Sequence, residues 1–141
     1  MSSVQLADET FVVAAPELVA AELSSRRAWS RWWPDLKLEV REDRGPKGIR
    51  WTVSGALIGT MEVWLEPSLD GTVLHYFLHA EPRPETVITS QNHLRRKLSH
   101  PDLAEINRRR RVAGKEMAFE LKAKLEAGRA AGEAARAQGL R

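Results

Sequence analysis

Residues 58–81 read IGTMEVWLEPSLDGTVLHYFLHAE, two alternating apolar and polar runs joined by a Pro-Ser-Leu-Asp-Gly turn. A period of two marks a strand with one face buried. Met61, Val63 and Leu65 alternate with Glu62, Trp64 and Glu66, and Leu74, Tyr76, Leu78 and Ala80 alternate with Val73, His75, Phe77 and His79. The first set in each strand is assigned to the core, which leaves Trp64 and Phe77 facing outward. The turn is too short for a crossover helix, so the two strands pair antiparallel.

Upstream, the same period continues from Leu36, with breaks at Gly45-Pro46 and Ser54-Gly55. Four strands are predicted, over 36–43, 48–54, 58–66 and 72–81, in an antiparallel meander. Ile49, Trp51 and Val53 oppose Arg50 and Thr52, so Trp51 belongs inside. Before the meander, Thr10-Phe11-Val12-Val13-Ala14 reads as an opening strand, and Pro16 suits the first position of a helix. PELVAAEL (16–23) and RRAWSRWW (26–33) are predicted as two short helices, with Ser24-Ser25 supplying a cap and Pro34 a stop. Trp29, Trp32 and Trp33 share one face of the second helix, and three such rings exceed what a small core is expected to bury.

Downstream, Pro82, Pro84 and Pro101 make 82–101 a connection, with one helical turn expected around 91–98. Asp102 can cap a long helix to about Gly128, with Leu103, Ile106, Ala113, Met117, Leu121 and Leu125 on one stripe. Such a helix is roughly 40 Å long, enough to cross a whole sheet. The expected organisation is a flexible N-terminus over 1–8, one domain over 9–127, and a frayed tail over 128–141.

The chain has 141 residues, 43% of them hydrophobic, which supports one core rather than two domains. Zero cysteines exclude disulfides and thiolate chemistry, and four histidines without close spacing argue against a metal site. His75 and His79 lie about 13 Å apart along one strand, too far for joint ligation. No motif calls for a redox cofactor, so none is expected. No apolar run approaches the ~20 residues of a membrane span, and MSSVQLADET carries acids before any apolar stretch. A cytoplasmic protein is expected, with peripheral contact to a membrane as a variant of that reading. Residues 1–81 hold 8 Lys+Arg against 12 Asp+Glu, net −4, and residues 82–141 hold 14 against 7, net +7. The basic half favours an anionic partner.

The order of a strand, two short helices, an antiparallel meander and a long C-terminal helix resembles the START-like (SRPBCC) helix-grip superfamily, especially its small polyketide cyclase/dehydrase and lipid-transport-like members. The run Thr10–Ala15 into Pro16 resembles the first strand of that superfamily entering its first helix. Trp32-Trp33-Pro34 is similar to the aromatic end of its second helix, and Trp64-Leu65-Glu66-Pro67 through Gly71-Thr72 to Tyr76 is similar to its final hairpin. The resemblance covers residues 9–127 and implies an α+β fold in which a curved antiparallel sheet of about five strands, up to seven, grips the C-terminal helix. The superfamily usually has six strands after the two helices where four are read here, as if one hairpin were missing. It also implies an apolar cavity between sheet and helix that binds a lipid, a polyketide or another hydrophobic molecule. Some members close aromatic rings or dehydrate; many only bind or carry.

The candidate ligand-binding residues are Trp29, Trp32, Trp51, Tyr76, Arg110, Met117 and Leu121. Trp51, Tyr76 and Met117 lie on inner faces, where rings and a flexible thioether line an adaptable pocket or simply fill the core. The resemblance puts the second helix beside the cavity entrance, making Trp29 or Trp32 a gate. Arg110 is in phase with Ile106, Ala113, Met117 and Leu121. It is expected to reach a ligand carboxylate or phosphate, or else to pair with a carboxylate of the sheet. Tyr76 is the one candidate acid for a cyclase or dehydratase, since no carboxylate or histidine is read on the inner faces. Arg95, Arg96, Lys97, Arg108, Arg109 and Arg111 form a candidate surface for anionic headgroups. Nucleic acid is disfavoured, because no recognition helix, RNP-like or zinc-finger pattern is present. Outward Trp64 and Phe77 offer a homodimer contact or a face for the 82–101 connection to cover. Three functions stay open: binding or transport of a hydrophobic molecule, a cyclase or dehydratase, and a pocketless module docking membrane, protein or nucleic acid through the basic helix.

Overall fold

The computed structural model describes residues 2–83, 102–130 and 133–135. Alternating apolar residues open β1 at Val4 and carry it to Val12, so the strand begins earlier than the expected Thr10 and takes in residues 4–8 of the expected N-terminal tail. Asp8 breaks the apolar rhythm there, which hid the start of the strand. The chain then turns into α1 (Pro16–Leu23), with proline at its first position, and α2 (Arg26–Trp32), whose Ser25 cap accepts from the Ala28 N–H at 3.2 Å. Four strands follow: β2 (Leu36–Asp43), β3 (Gly48–Gly55), β4 (Leu57–Ser68) and β5 (Gly71–Pro82). Among the described residues the sheet has five strands in the order β1-β5-β4-β3-β2, all neighbours antiparallel, with a bulge between Val40 and Glu42. Asp102 caps the long helix α3 (Leu103–Leu125) by accepting from the Glu105 N–H at 3.1 Å. The helical turn expected at 91–98 lies outside the described residues.

The α-helices α1, α2 and α3 pack on one face of the curved sheet. The core joins Leu6, Trp51, Met61, Leu65, Tyr76 and Leu78 of the strands to Val19, Leu23 and Trp32 of the short helices and Met117, Ala118 and Leu121 of α3. These are the faces that period-two alternation assigns. Leu103 departs from the expected stripe and stays exposed. α3 runs along β1 from Asn107, which bonds Gln5 and Ser3, to Glu126, which accepts from the Val13 N–H at 2.8 Å. Leu103 lies one turn before Asn107 and overhangs the start of the strand.

Two sets of contacts hold α3 down. Along β1, Lys115 bonds the Glu9 carbonyl and Thr10 Oγ1 and pairs with Asp8 at 2.9 Å, and Lys122 bonds the Phe11 carbonyl at 2.7 Å. Along the short helices the contacts are exposed ion pairs, Arg31–Glu120 and Lys124–Glu22, both at 2.7 Å. At the start of β2, the fork of Arg110 grips Asp35 with bonds of 2.9 and 2.6 Å. That hydrogen bond holds the Asp35 carboxyl below its ordinary range.

Three outcomes follow from this packing. At Gly114 a Cβ would sit 2.5 Å from Tyr76 Cε2. A mid-helix Gly→Ala change ordinarily gains about 1 kcal/mol. Here the ring is locked from behind, so Gly114→Ala lowers unfolding stability by about 1–3 kcal/mol in urea titrations. Leu69, in the β4–β5 turn, is 97% exposed and holds φ at +52°. A branched side chain pays about 1 kcal/mol there, so Leu69→Gly raises the thermal midpoint. The Asp35 shift has a definite sign. A depressed folded-state pKa gives stability that is present above the unfolded value of about 4 and lost as pH falls through the folded value. Wild-type stability therefore drops more steeply below about pH 4 than that of Asp35→Asn, by less than about 1 kcal/mol because the pair is partly solvated.

Candidate functional site

The region between sheet and α3 is built from aromatic rings. α2 delivers Trp29, Trp32 and, at the position just past its end, Trp33, while β3 and β5 aim Trp51 and Tyr76 at them from below. Trp29 meets Trp51 edge-on at 5.4 Å between centroids, Trp51 meets Trp33 at 5.7 Å, and Trp33 meets Trp32 at 5.6 Å. Trp33 stacks on Tyr76 at 6.2 Å and 8°. Edge-to-face contacts of this kind add about 0.5–1.5 kcal/mol each beyond burial.

Such nesting lets all three tryptophans of α2 go inside, where the sequence led us to expect one at a mouth. Trp29, Trp32 and Trp33 retain 6%, 9% and 1% of their surface. The guanidinium groups of Arg26 and Arg31 lie over the Trp29 and Trp32 rings at 5.1 and 5.8 Å, which closes the outer side. Met117 and Leu121 close the cluster from α3, and both are buried. A chamber wide enough for one water would leave accessible surface on its walls, yet Trp51 and Met117 have none. The space bounded by Trp51, Tyr76 and Met117 is filled.

The filling leaves polar atoms unpaired. The indole N–H of Trp29 donates to the Leu23 carbonyl at 2.6 Å, but those of Trp32, Trp33 and Trp51 are buried without an acceptor in hydrogen-bond geometry. The Tyr76 hydroxyl donates to Met61 Sδ at 3.4 Å, a weak acceptor. Burial pushes the Tyr76 phenol far above its ordinary range, against smaller downward pulls from the Arg110 charge and from the Trp33 indole beside its oxygen. Tyr76 is therefore a neutral hydroxyl at every physiological pH.

Arg110 does not enter the cluster as a free cation, because Asp35 takes both arms of its fork. The pairing with a carboxylate, the simpler of its two expected roles, is the one the structure shows, although the partner precedes β2 rather than lying within the sheet. Arg108 and Arg109 both turn back onto Glu105, which they hold down at about 2. Arg111 is exposed, with no ion pair among the described residues. Arg95, Arg96 and Lys97 lie outside the described residues, as do His93 and His100. Two surface depressions lie elsewhere: one of about 260 Å³ between α1 and the β2–β3 connection, and one of about 320 Å³ on the outer face of the sheet. Neither touches the ring cluster.

Sequence reasoning missed Trp33 as the hub, although its position beside Trp32 and before Pro34 was in view. It also missed Gly114, whose place in the apolar stripe between Ala113 and Met117 was the available signal. No group of three or more His, Asp or Glu side chains that could hold a metal is found among the described residues.

No protein-family model and no curated sequence matches the chain. Solved structures do. The solution structure of the Aha1 dimer from Colwellia psychrerythraea is 16% identical with a TM-score of 0.55, over 90% of this chain and 99% of that one. Protein EF2215 from Enterococcus faecalis is 15% identical with a TM-score of 0.52, over 90% of this chain and 74% of that one. Protein CV1439 from Chromobacterium violaceum is 13% identical with a TM-score of 0.52, over 85% of this chain and 96% of that one. At these identities the likeness is one of fold, and with the five-stranded antiparallel sheet packed against the long helix it gives the chain's architecture: an α+β, helix-grip-like fold.

Proposed function

We propose that the chain binds a hydrophobic small molecule between the sheet and α3, where the ring cluster now fills the space. One observation carries the reading: Trp32 and Trp51 keep buried indole N–H groups with no acceptor, and that of Trp33 has the Tyr76 hydroxyl beside it but not in good hydrogen-bond geometry. Leaving such a donor unpaired costs about 1–3 kcal/mol, so a tight apolar core would place these donors elsewhere or pair them. A ligand with an apolar body and acceptor oxygens offsets both the ring contacts it displaces and the unpaired donors. Trp29, Trp51, Tyr76, Met117 and Leu121 are the side chains positioned to wrap it, and Tyr76 adds a neutral hydroxyl.

The helix attachments favour one direction of opening. Along β1, α3 is tied by Lys115 and Lys122 to backbone carbonyls, while towards α1 and α2 it rests on the exposed pairs Arg31–Glu120 and Lys124–Glu22. Exposed pairs contribute about 0–1 kcal/mol, so α3 swings from the α2 side with β1 as the hinge. Arg110 and Asp35 then stand at the rim and part as the helix lifts. A second reading, an interaction module that takes no small molecule, draws on the absence of accessible surface on Trp51 and Met117.

Native mass spectrometry of the purified full chain, with organic extraction of whatever travels with it, separates the two readings. The binding reading expects a discrete apolar adduct whose re-addition changes tryptophan emission saturably. It expects Trp51→Phe, which keeps a ring and removes one donor, to weaken binding about 2- to 10-fold. A bare mass, together with unchanged emission on adding palmitate and a flavonoid, sinks it and leaves the interaction module.

A further inference from the structure

The outer face of the sheet carries a second aromatic arrangement that the ligand reading does not use. Antiparallel register sets Trp64 opposite His75 and Glu62 opposite Phe77, and sets Glu9 of β1 opposite His75 from the other side. The Trp64 and His75 rings stack at 4.5 Å and 20°, and His75 and Phe77 at 6.3 Å and 2°. The result is one flat ladder of rings across β4 and β5. His75 is pinned within it, its Nε2 2.9 Å from Glu66 Oε1 and its Nδ1 3.5 Å from Glu9 Oε2. The platform is therefore ordered before anything lands on it, which removes part of the cost of binding.

From this face we infer a docking surface for a segment of another protein that presents arginine or lysine side chains. Trp64 is 40% exposed, and the Glu9 and Glu66 side chains are 71% and 47% exposed. Neither carboxylate has a lysine or arginine ion pair among the described residues, whereas Glu62 nearby is neutralised by Arg44 at 2.6 Å. Charge selects the occupant. A purely apolar partner would strip water from Glu9 and Glu66 without replacing it. Phosphates of a nucleic acid would meet like charge, and a second copy laid face to face would set these carboxylates near their own images. A guanidinium satisfies both requirements, since it stacks on an indole face and forks onto a carboxylate. The depression of about 320 Å³ beside Phe77, walled by Arg50, Thr60, Glu62 and His79, leaves room for an uncharged next side chain of an extended segment, since Arg50 is itself a cation.

The test is calorimetric titration of the full chain with two ten-residue peptides, one alternating Arg with Ser and one with Glu in place of every Arg. The Arg peptide binds and the Glu peptide does not; Trp64→Ala weakens the Arg peptide about 10-fold, and Glu66→Gln about 3-fold or more. Raising salt from low to high concentration weakens binding further. Trp64→Ala leaves the thermal midpoint close to wild type, because the ring is on the surface. Equal binding of both peptides, no binding of either, or Arg-peptide binding that ignores Trp64→Ala overturns the inference. So does sedimentation showing a wild-type dimer that Trp64→Ala takes apart, which would make the face a contact between copies.

Discussion

A missing methyl group sets how closely the helix approaches the sheet. Tyr76 projects from β5 onto Gly114 of α3, where any Cβ would fall 2.5 Å from the ring. That contact brings the helix axis close enough for Met117, Ala118 and Leu121 to reach the strands and be buried. It also fixes the plane of Tyr76, and Trp33 stacks on that plane within 8°. Trp33 in turn touches Trp32 and Trp51, so the orientation of α2 follows from the same contact. The grip of sheet on helix is thus a chain of ring contacts starting at one glycine.

The same contacts create a conflict. Aromatic rings fill volume well, and the core gains the dispersion and burial energy of five of them. Indoles bring an N–H with them, and in a cluster of rings the neighbours offer few lone pairs, here those of the Tyr76 hydroxyl beside Trp33. Trp29 escapes because α1 ends beside it and lends the Leu23 carbonyl. The indole N–H groups of Trp32, Trp33 and Trp51 meet no acceptor in hydrogen-bond geometry. A core selected only for stability is better served by phenylalanine or leucine at such positions. That mismatch is the physical content of the ligand reading, since it is paid off only when something with acceptor atoms enters.

Much of the fold is legible in residues 36–81, because a two-residue period with short Gly- and Pro-rich turns leaves few alternatives to an antiparallel meander. Ile49, Trp51, Met61 and Tyr76 fall on the buried face as parity requires. Three features escaped for different reasons. β1 begins at Val4, but Asp8, which faces Lys115 of α3, reads as a break when the helix is not in view. The capacity of the core for tryptophan depends on mutual ring angles, which composition does not encode. The partner of Arg110 is Asp35, 75 positions away, and helical phase predicts only the side of the helix, not what waits there. The ring ladder on the outer face was half visible: Trp64 and Phe77 were outward by parity, but His75 as the bridge needs the cross-strand register.

The division of charge along the sequence, net −4 before residue 82 and net +7 after it, first reads as a signal for an outside anion. The structure gives much of it an internal use. Lys115 meets Asp8, Arg110 meets Asp35 and Lys124 meets Glu22, each joining the basic helix to the acidic part of the chain. Arg108 and Arg109 spend their charge on Glu105 within the helix itself. Of the basic side chains on the helix singled out for an anionic partner, Arg111 keeps its charge free of an ion pair among the described residues, while Glu9 and Glu66 lie on the opposite face of the sheet beside exposed Trp64. A lone exposed arginine with no ring beside it is an ordinary solvated side chain. Two carboxylates fixed to a flat aromatic ladder combine charge with a stacking surface, and only a cationic partner uses both.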